Sequence, residues 1–229
     1  RILLGFLKAT AGRASVLGMD VHRESTGIRR RVGYLSGDVR LYDHLTAWQT
    51  IDFVARARGM RDRSEAKRLA DVLQLSSTNR VRSFSKGMRQ KLGLIVALMH
   101  RPELVILDEP TSSLDPLMQQ VLYRELRAAT AEGRTVLFSS HSLSEVQALC
   151  DSVVILRHGR VVASKPVADL RSEAGQRVRF RLAAGADPPR DGPEGFTMDA
   201  PTDGWLGGRW RGEPEALLTW LATLRPLEV

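Results

Sequence analysis

Cysteine is almost missing from this chain: Cys150 stands alone in 229 residues. An internal disulfide framework is thereby excluded, and the composition fits a reducing compartment. Long apolar runs are missing as well. The longest, Leu92 to Met99, has eight residues, whereas a bilayer-spanning helix needs about 20. The start holds no secretory apolar region, and no internal repeat recurs. Aromatic residues make up 6% of the chain, and no basic stripe is interleaved with them, so nothing carries a nucleic-acid signature. What is plentiful is positive charge, +8 overall, with +5 of it in residues 1–40 (eight Lys/Arg against three Asp/Glu). Such an excess either attracts polyanions in general or forms solvated basic faces. With 43% hydrophobic and 26% charged residues, the chain has the make-up of a globular protein that buries a core without staples.

Strand-like and helix-like segments alternate through residue 164, the pattern of an α/β sheet with helices packed on it. RASVLG (13–18) and RVGYLS (31–36) read as strands. Leu3, Leu4 and Leu7 sit at helical spacing ahead of a stop at Ala11-Gly12. Thr46 and Gln49 form a capping box opening AWQTIDFVARA, and a polar helical stretch follows over 64–75. LVILD (104–108) and TVLFS (135–139) are continuous apolar runs and read as buried parallel strands. Between them, Asp115-Pro116 opens a helix whose inner face is Val121, Leu122, Leu126 and Ala129. Ser142 and Glu145 match a second capping box, and RHG links two strands as a hairpin. After Pro166 the texture changes. RVRFRL (177–182) and residues 205–210 read as strands and 216–224 as a helix, with a Gly-, Pro- and Asp-rich linker over 183–204. The predicted division falls at about 165.

Three stretches carry chemistry. LVILDEPTSSLDP ends an apolar strand in two carboxylates, Asp108 and Glu109, and the carboxyl ends of parallel strands are where open α/β sheets bind ligands. Neighbours on a strand point opposite ways, so the two carboxylates are free to do different jobs. In SFSKGMRQKL, Ser85 caps a helix beginning at Lys86, and Gly87 keeps its first turn bare. Free N–H groups, a hydroxyl and the charges of Lys86 and Arg89 make this an anion site. In LFSSHSLSE, His141 follows a strand and precedes a helix.

In this order the stretches resemble the nucleotide-binding domain of ABC transporters. FSKGM (84–88) is similar to the family's signature motif, VILDEP to the Walker B strand with its glutamate, SSLD (112–115) to the D-loop, and His141 to the switch histidine. More narrowly, FSKGMRQKL, PTSSLDP and SHSLSEVQALCDSVVILRHGRVV resemble ATP-binding subunits of ABC-2-type exporters. The resemblance implies a P-loop NTPase fold of the ABC type over residues 1–165, with a helical subdomain at about 46–100. Residues 166–229 would be a small α+β accessory region. It further implies ATP and Mg²⁺, a second ATP-binding subunit in a head-to-tail dimer, and an ABC-2-type transmembrane permease as separate partner, with no nucleic acid. The protein would work in the cytoplasm, on the inner face of the cell membrane. Asp108 would help coordinate Mg²⁺, Glu109 would polarise the attacking water, and His141 would sense the γ-phosphate. Ser85, Lys86 and Gly87 would face the γ-phosphate held by the opposing subunit, and Asp115 would link the two sites. The rival expectations are a non-transport ABC ATPase of translation or DNA repair, and a degenerate subunit lending only its signature face.

The sequence departs from the family pattern at three places. Lys86 and Met88 replace Gly and Gln of the signature. The Q-loop glutamine is absent after Leu35, where Leu35-Ser36-Gly37-Asp38 stands; Asp38 either takes over the metal contact, as a carboxylate suits hard Mg²⁺, or caps a turn. No Gly-x-x-x-x-Gly-Lys-[Ser/Thr] phosphate loop occurs in the 229 residues. RILLGFLKATAG resembles the later turns of the helix that follows that loop. The expectation is therefore a piece of a longer protein, cut before Arg1 and after the strand-like start LEV (227–229), inactive and poorly folded by itself.

Overall fold

A computed structural model describes residues 1–76, 78–174, 176–183, 188, 189, 191–201, 204–212, 214–224, 226 and 227. The chain divides into two compact units, Arg1–Glu145 and Val146–Val229.

In the first unit the apolar spacing near the start predicts a helix, but Ile2–Leu4 makes a single 3-10 turn. Gly5 ends it. Its φ is +69°, and a Cβ there would stand 2.5 Å from Ser25 Cβ and 2.7 Å from Val21 O, so the chain turns where only glycine fits. A short hairpin of β1 (Ser15–Val16) and β2 (Met19–Asp20) leads into α1 (Ser25–Arg31). Leu4, Val16, Val21, Ile28 and Val32 form one buried cluster. From α1 the chain enters β3 (Val32–Leu35). The junction is gripped by Arg58, whose guanidinium donates to Arg29 O and Arg30 O at 3.2 Å and to Val32 O at 3.4 Å. His100 Nε2 donates to Val32 O as well, at 3.3 Å.

Three helices separate β3 from the next strand: α2 (Ala47–Ala57), α3 (Ser64–Val72) and α4 (Lys86–Leu98). The Thr46–Gln49 capping box forms, both hydrogen bonds present. β4 (Leu104–Asp108), α5 (Pro116–Ala131) and β5 (Thr135–Ser139) follow. Arg68 of α3 joins α5, pairing with Glu65 at 2.8 Å and Glu125 at 2.6 Å. The sheet is parallel in the order β3-β4-β5, in register from Val32↔Leu104 to Leu35↔Leu107 and from Leu104↔Thr135 to Asp108↔Ser139. Val105 and Leu107 of the middle strand are fully buried. β5 is parallel, but the prediction that it is buried needs correcting. Among the described residues it pairs with β4 alone, and Leu137 keeps 49% of its surface exposed.

α6 (Leu143–Leu149) opens with the buried Glu145. In the second unit, β6 (Ser152–Arg157) and β7 (Arg160–Pro166) form the predicted hairpin. Its two linking residues, His158 and Gly159, both have positive φ (50° and 73°), the backbone of a turn that matches strand twist. Then come α7 (Val167–Ala174), β8 (Gln176–Phe180), β9 (Phe196–Met198), β10 (Leu206–Trp210) and α8 (Pro214–Leu224). β9 lies within the stretch that composition reads as linker. The antiparallel order is β8-β10-β9, and Phe180, Trp210, Leu217 and Leu221 form the core beneath it. Phe180 meets Trp220 edge to face at 5.5 Å. Of the strand-like LEV, residues 228 and 229 lie outside the described residues. Among the described residues no helix is long and apolar enough to cross a membrane.

Candidate functional site

The carboxyl ends of β4 and β5 lie side by side, with Asp108 opposite Ser139. Ser139 Oγ donates to Asp108 Oδ1 at 2.6 Å and accepts the Glu109 N–H at 3.0 Å. Asp108 Oδ2 accepts the Gly37 N–H at 3.3 Å. One hydroxyl and one backbone amide thus fix this carboxylate at the carboxyl end of the middle strand, where it remains exposed.

Glu109 leaves the strand in a left-handed conformation, φ 48°. Glu109 lies past the end of the strand, so strand alternation does not set the direction of its side chain. Glu109 Oε2 lies 2.8 Å from His141 Nδ1. A carboxylate only accepts, so Nδ1 carries the proton and Nε2 is left for another partner. His141 is 82% exposed in its side chain and Glu109 31%, so the pair opens to solvent. From behind, the carbonyls of Glu109 and Pro110 accept from Gln90 Nε2 of α4 at 3.2 and 2.9 Å; Gln90 is 2% exposed.

A second group lies at the start of α4. Ser85 caps the helix, its Oγ accepting the Met88 N–H at 3.2 Å, and Ser85 and Lys86 are exposed. Gly87 packs on the loop over 112–115: a Cβ there would stand 2.6 Å from Ser113 O. Asp115 caps α5 by accepting the Met118 N–H at 3.0 Å, with Pro116 at the first helical position. Arg89, expected to add charge to the anion site, is paired with Asp43 at 2.8 Å.

The structure therefore brings Asp108, Glu109 and His141 together, and Ser85, Gly87 and the loop carrying Asp115 together. Asp38 joins neither set. Its carboxylate holds Arg40 at 2.8 Å, and with Ser36 and Tyr34 it lines a cavity of about 450 Å³; Gly37 makes the contact to Asp108. The capping box expected of Ser142 and Glu145 does not form. Ser142 Oγ bonds Ser144 Oγ at 2.8 Å, while the Glu145 carboxylate accepts from Thr111 and Ser140. Gln90, Ser139 and Thr111 were missed by sequence reasoning; their partners lie 19 to 34 residues away, beyond any local pattern.

Among the described residues no three His, Cys, Asp or Glu side chains converge as a metal cage. Asp108, beside the Ser139 hydroxyl, offers oxygen donors of the kind that hold Mg²⁺ through one carboxylate, waters and substrate phosphates.

Parallel strands ending in a carboxylate cluster are an arrangement this chain shares with solved ABC ATPase domains. A solved ATP-binding subunit of an ABC transporter matches with a TM-score of 0.68 and 31% identity, over 75% of this chain and 74% of that one. A dimeric ATP-binding cassette in a post-hydrolysis state with ADP and Pi shares the fold, with a TM-score of 0.66 and 20% identity, over 72% of this chain and 78% of that one. The family model for the ABC transporter matches residues 1–112. The ATP-binding protein NatA of Bacillus subtilis is 34% identical over 168 residues, 71% of this chain and 68% of its own length. The chain belongs to the ABC transporter ATP-binding proteins. An uncharacterized member from Synechocystis is 31% identical over 98% of this chain, and one from Nostoc is 34% identical over 74% of it. The chain spans 64% and 52% of the lengths of these two relatives.

Proposed function

We propose that the protein is an ATP-hydrolysing subunit that powers export through a separate ABC-2-type permease, working as one of two ATP-binding subunits on the inner face of the cell membrane. The observation that carries this is the hydrogen bond between Glu109 and His141 beside Asp108. Relatives named for bacitracin transport and for linearmycin resistance, 33% and 30% identical, support the direction of transport. Residues 1–165 are the nucleotide-binding part and 166–229 the accessory part.

Phosphoryl transfer to water needs positioning and charge stabilisation more than covalent chemistry. Glu109 Oε1, the oxygen not bonded to His141, would accept a hydrogen bond from the attacking water. His141 would turn Nε2 to the γ-phosphate, a contact that needs a proton on Nε2 as well as on Nδ1, and the Glu109 contact would hold the ring in place. Asp108 would hold Mg²⁺, which supplies neutralising charge when bound. Ser85 with its capped helix start, Lys86 and Gly87 present donors to the ATP of the opposing subunit, and Asp115 stands on the loop packed against them.

The test is ATP turnover by the full-length protein with its permease. Glu109→Gln is expected to lower kcat about 10²–10⁴-fold, the range of a lost general base, and His141→Ala to do likewise. Turnover unaffected by Glu109→Gln sinks the proposal.

A further inference from the structure

Glu145 is 8% exposed. Its carboxylate is held by hydroxyls from three directions. Thr111 Oγ1 donates to Oε1 at 2.6 Å and Ser140 Oγ to Oε2 at 2.6 Å. The Tyr123 phenol of α5 also bonds it, and burial together with this neighbouring carboxylate pushes that phenol above its usual range. Ser140 Oγ accepts the Ser142 N–H at 2.9 Å, so both residues flanking His141 are tied to the same point. Thr111 stands two residues beyond Glu109.

A buried carboxylate is costly to desolvate, and short charge-assisted bonds from hydroxyls offset that cost only while every donor stays in place. The network therefore favours one spacing between the loop after β4 and the loop after β5. Each loop carries one member of the Glu109–His141 pair.

We propose that Glu145 is a positioning residue that sets the distance between Glu109 and His141 by clamping Thr111 and Ser140 to one carboxylate. Its effect on turnover rests on the ATPase function proposed above; its effect on geometry does not. Glu145→Gln keeps the volume but replaces one acceptor by a donor, and Glu145→Asp keeps the charge but withdraws it by one methylene.

Both variants are assayed in the full-length protein, well below their melting temperatures, beside Glu109→Gln. The expected result is a kcat lower by about 10- to 100-fold, as for reacting groups displaced by about 1 Å, with the KM for ATP within about twofold of wild type. Thr111→Val lowers kcat too, and adds little on top of Glu145→Gln because both cut the same network. A side chain needed only for folding would instead lower the melting temperature and leave kcat of the folded fraction untouched. A crystal structure of the Glu145→Gln protein gives a readout independent of turnover. The Glu109 Oε2 to His141 Nδ1 distance, 2.8 Å in the native chain, should open beyond hydrogen-bond reach. An unchanged distance, or kcat within about twofold of wild type while Glu109→Gln is inactive, overturns the proposal. If the wild-type protein hydrolyses no ATP, the proposed function fails and the distance alone decides the role of Glu145.

Discussion

A left-handed backbone at a residue with a long side chain costs roughly 1–3 kcal/mol and persists only where neighbours over-determine it. Glu109 is held that way from both sides, by Ser139 on its N–H and by Gln90 on its carbonyl, which puts a strained residue at the point of proposed chemistry. Gly87 is constrained by space instead. Alanine would gain about 1 kcal/mol of helix propensity, but its Cβ would meet the backbone oxygen of Ser113 at 2.6 Å, and overpacking of this kind costs typically 1–3 kcal/mol. The clash wins because the obstructing atom is main chain. Gly87→Ala should lower the denaturant midpoint; a midpoint at or above wild type would show that the 112–115 loop yields. The sequence singles out both residues, Glu109 by its place after an apolar strand and Gly87 by its place beside a cap. What it hides is the turn of one and the neighbour of the other, since each depends on a partner loop.

Among the elements, α4 reaches the most parts of the candidate site. It is capped at Ser85, packed at Gly87 and bonded through Gln90 to the loop that carries Glu109. Replacing Gln90 by Met takes the side-chain donor from the buried Pro110 carbonyl and leaves the Glu109 carbonyl only the Ser112 N–H, a loss of about 1–3 kcal/mol. Gln90→Glu should be worse, because a carboxylate would face the same two oxygens with acceptors only. Thermal midpoints in the order wild type, Gln90→Met, Gln90→Glu are expected; a Glu variant as stable as wild type would contradict the bonding described. Element ends were legible wherever the determinant is local. The caps at Thr46, Ser85 and Asp115 all form, each being a side chain and an amide three residues apart. The same rule misassigned Glu145, whose spacing from Ser142 fits a capping box while its carboxylate turns to hydroxyls 34 and 5 residues away. An apolar run such as TVLFS specifies a strand, but not whether strands flank it on both sides.

For the molecule as a whole, His100 gives stability a dependence on pH. Burial, and then the charge of Arg58, pushes this imidazole down to about 4 from 6.5. Between those values the unfolded chain binds the proton more readily than the folded one. The contribution is therefore complete above about pH 6.5 and lost as pH falls toward 4, on the order of 3 kcal/mol in all. Denaturant midpoints at pH 7 and pH 5 should differ more for wild type than for His100→Gln, and equal differences would place the titration elsewhere. The parallel sheet and its order of elements were readable from alternation and motif order. The division between Glu145 and Val146 was not, because it falls within α6 and no change of composition marks it.

Arg58 follows directly on α2, yet its guanidinium is spent on three main-chain oxygens where α1 gives way to β3. The base of the three-helix insertion is therefore pinned to the point at which the chain enters the sheet. Because the acceptors are main-chain oxygens, no side-chain substitution at Arg29, Arg30 or Val32 removes them, and the attachment rests on the guanidinium alone. α4 returns to that same anchorage through His100, two residues past its end. Arg58 after α2 and His100 after α4 are thus fastened to the same carbonyl, that of Val32.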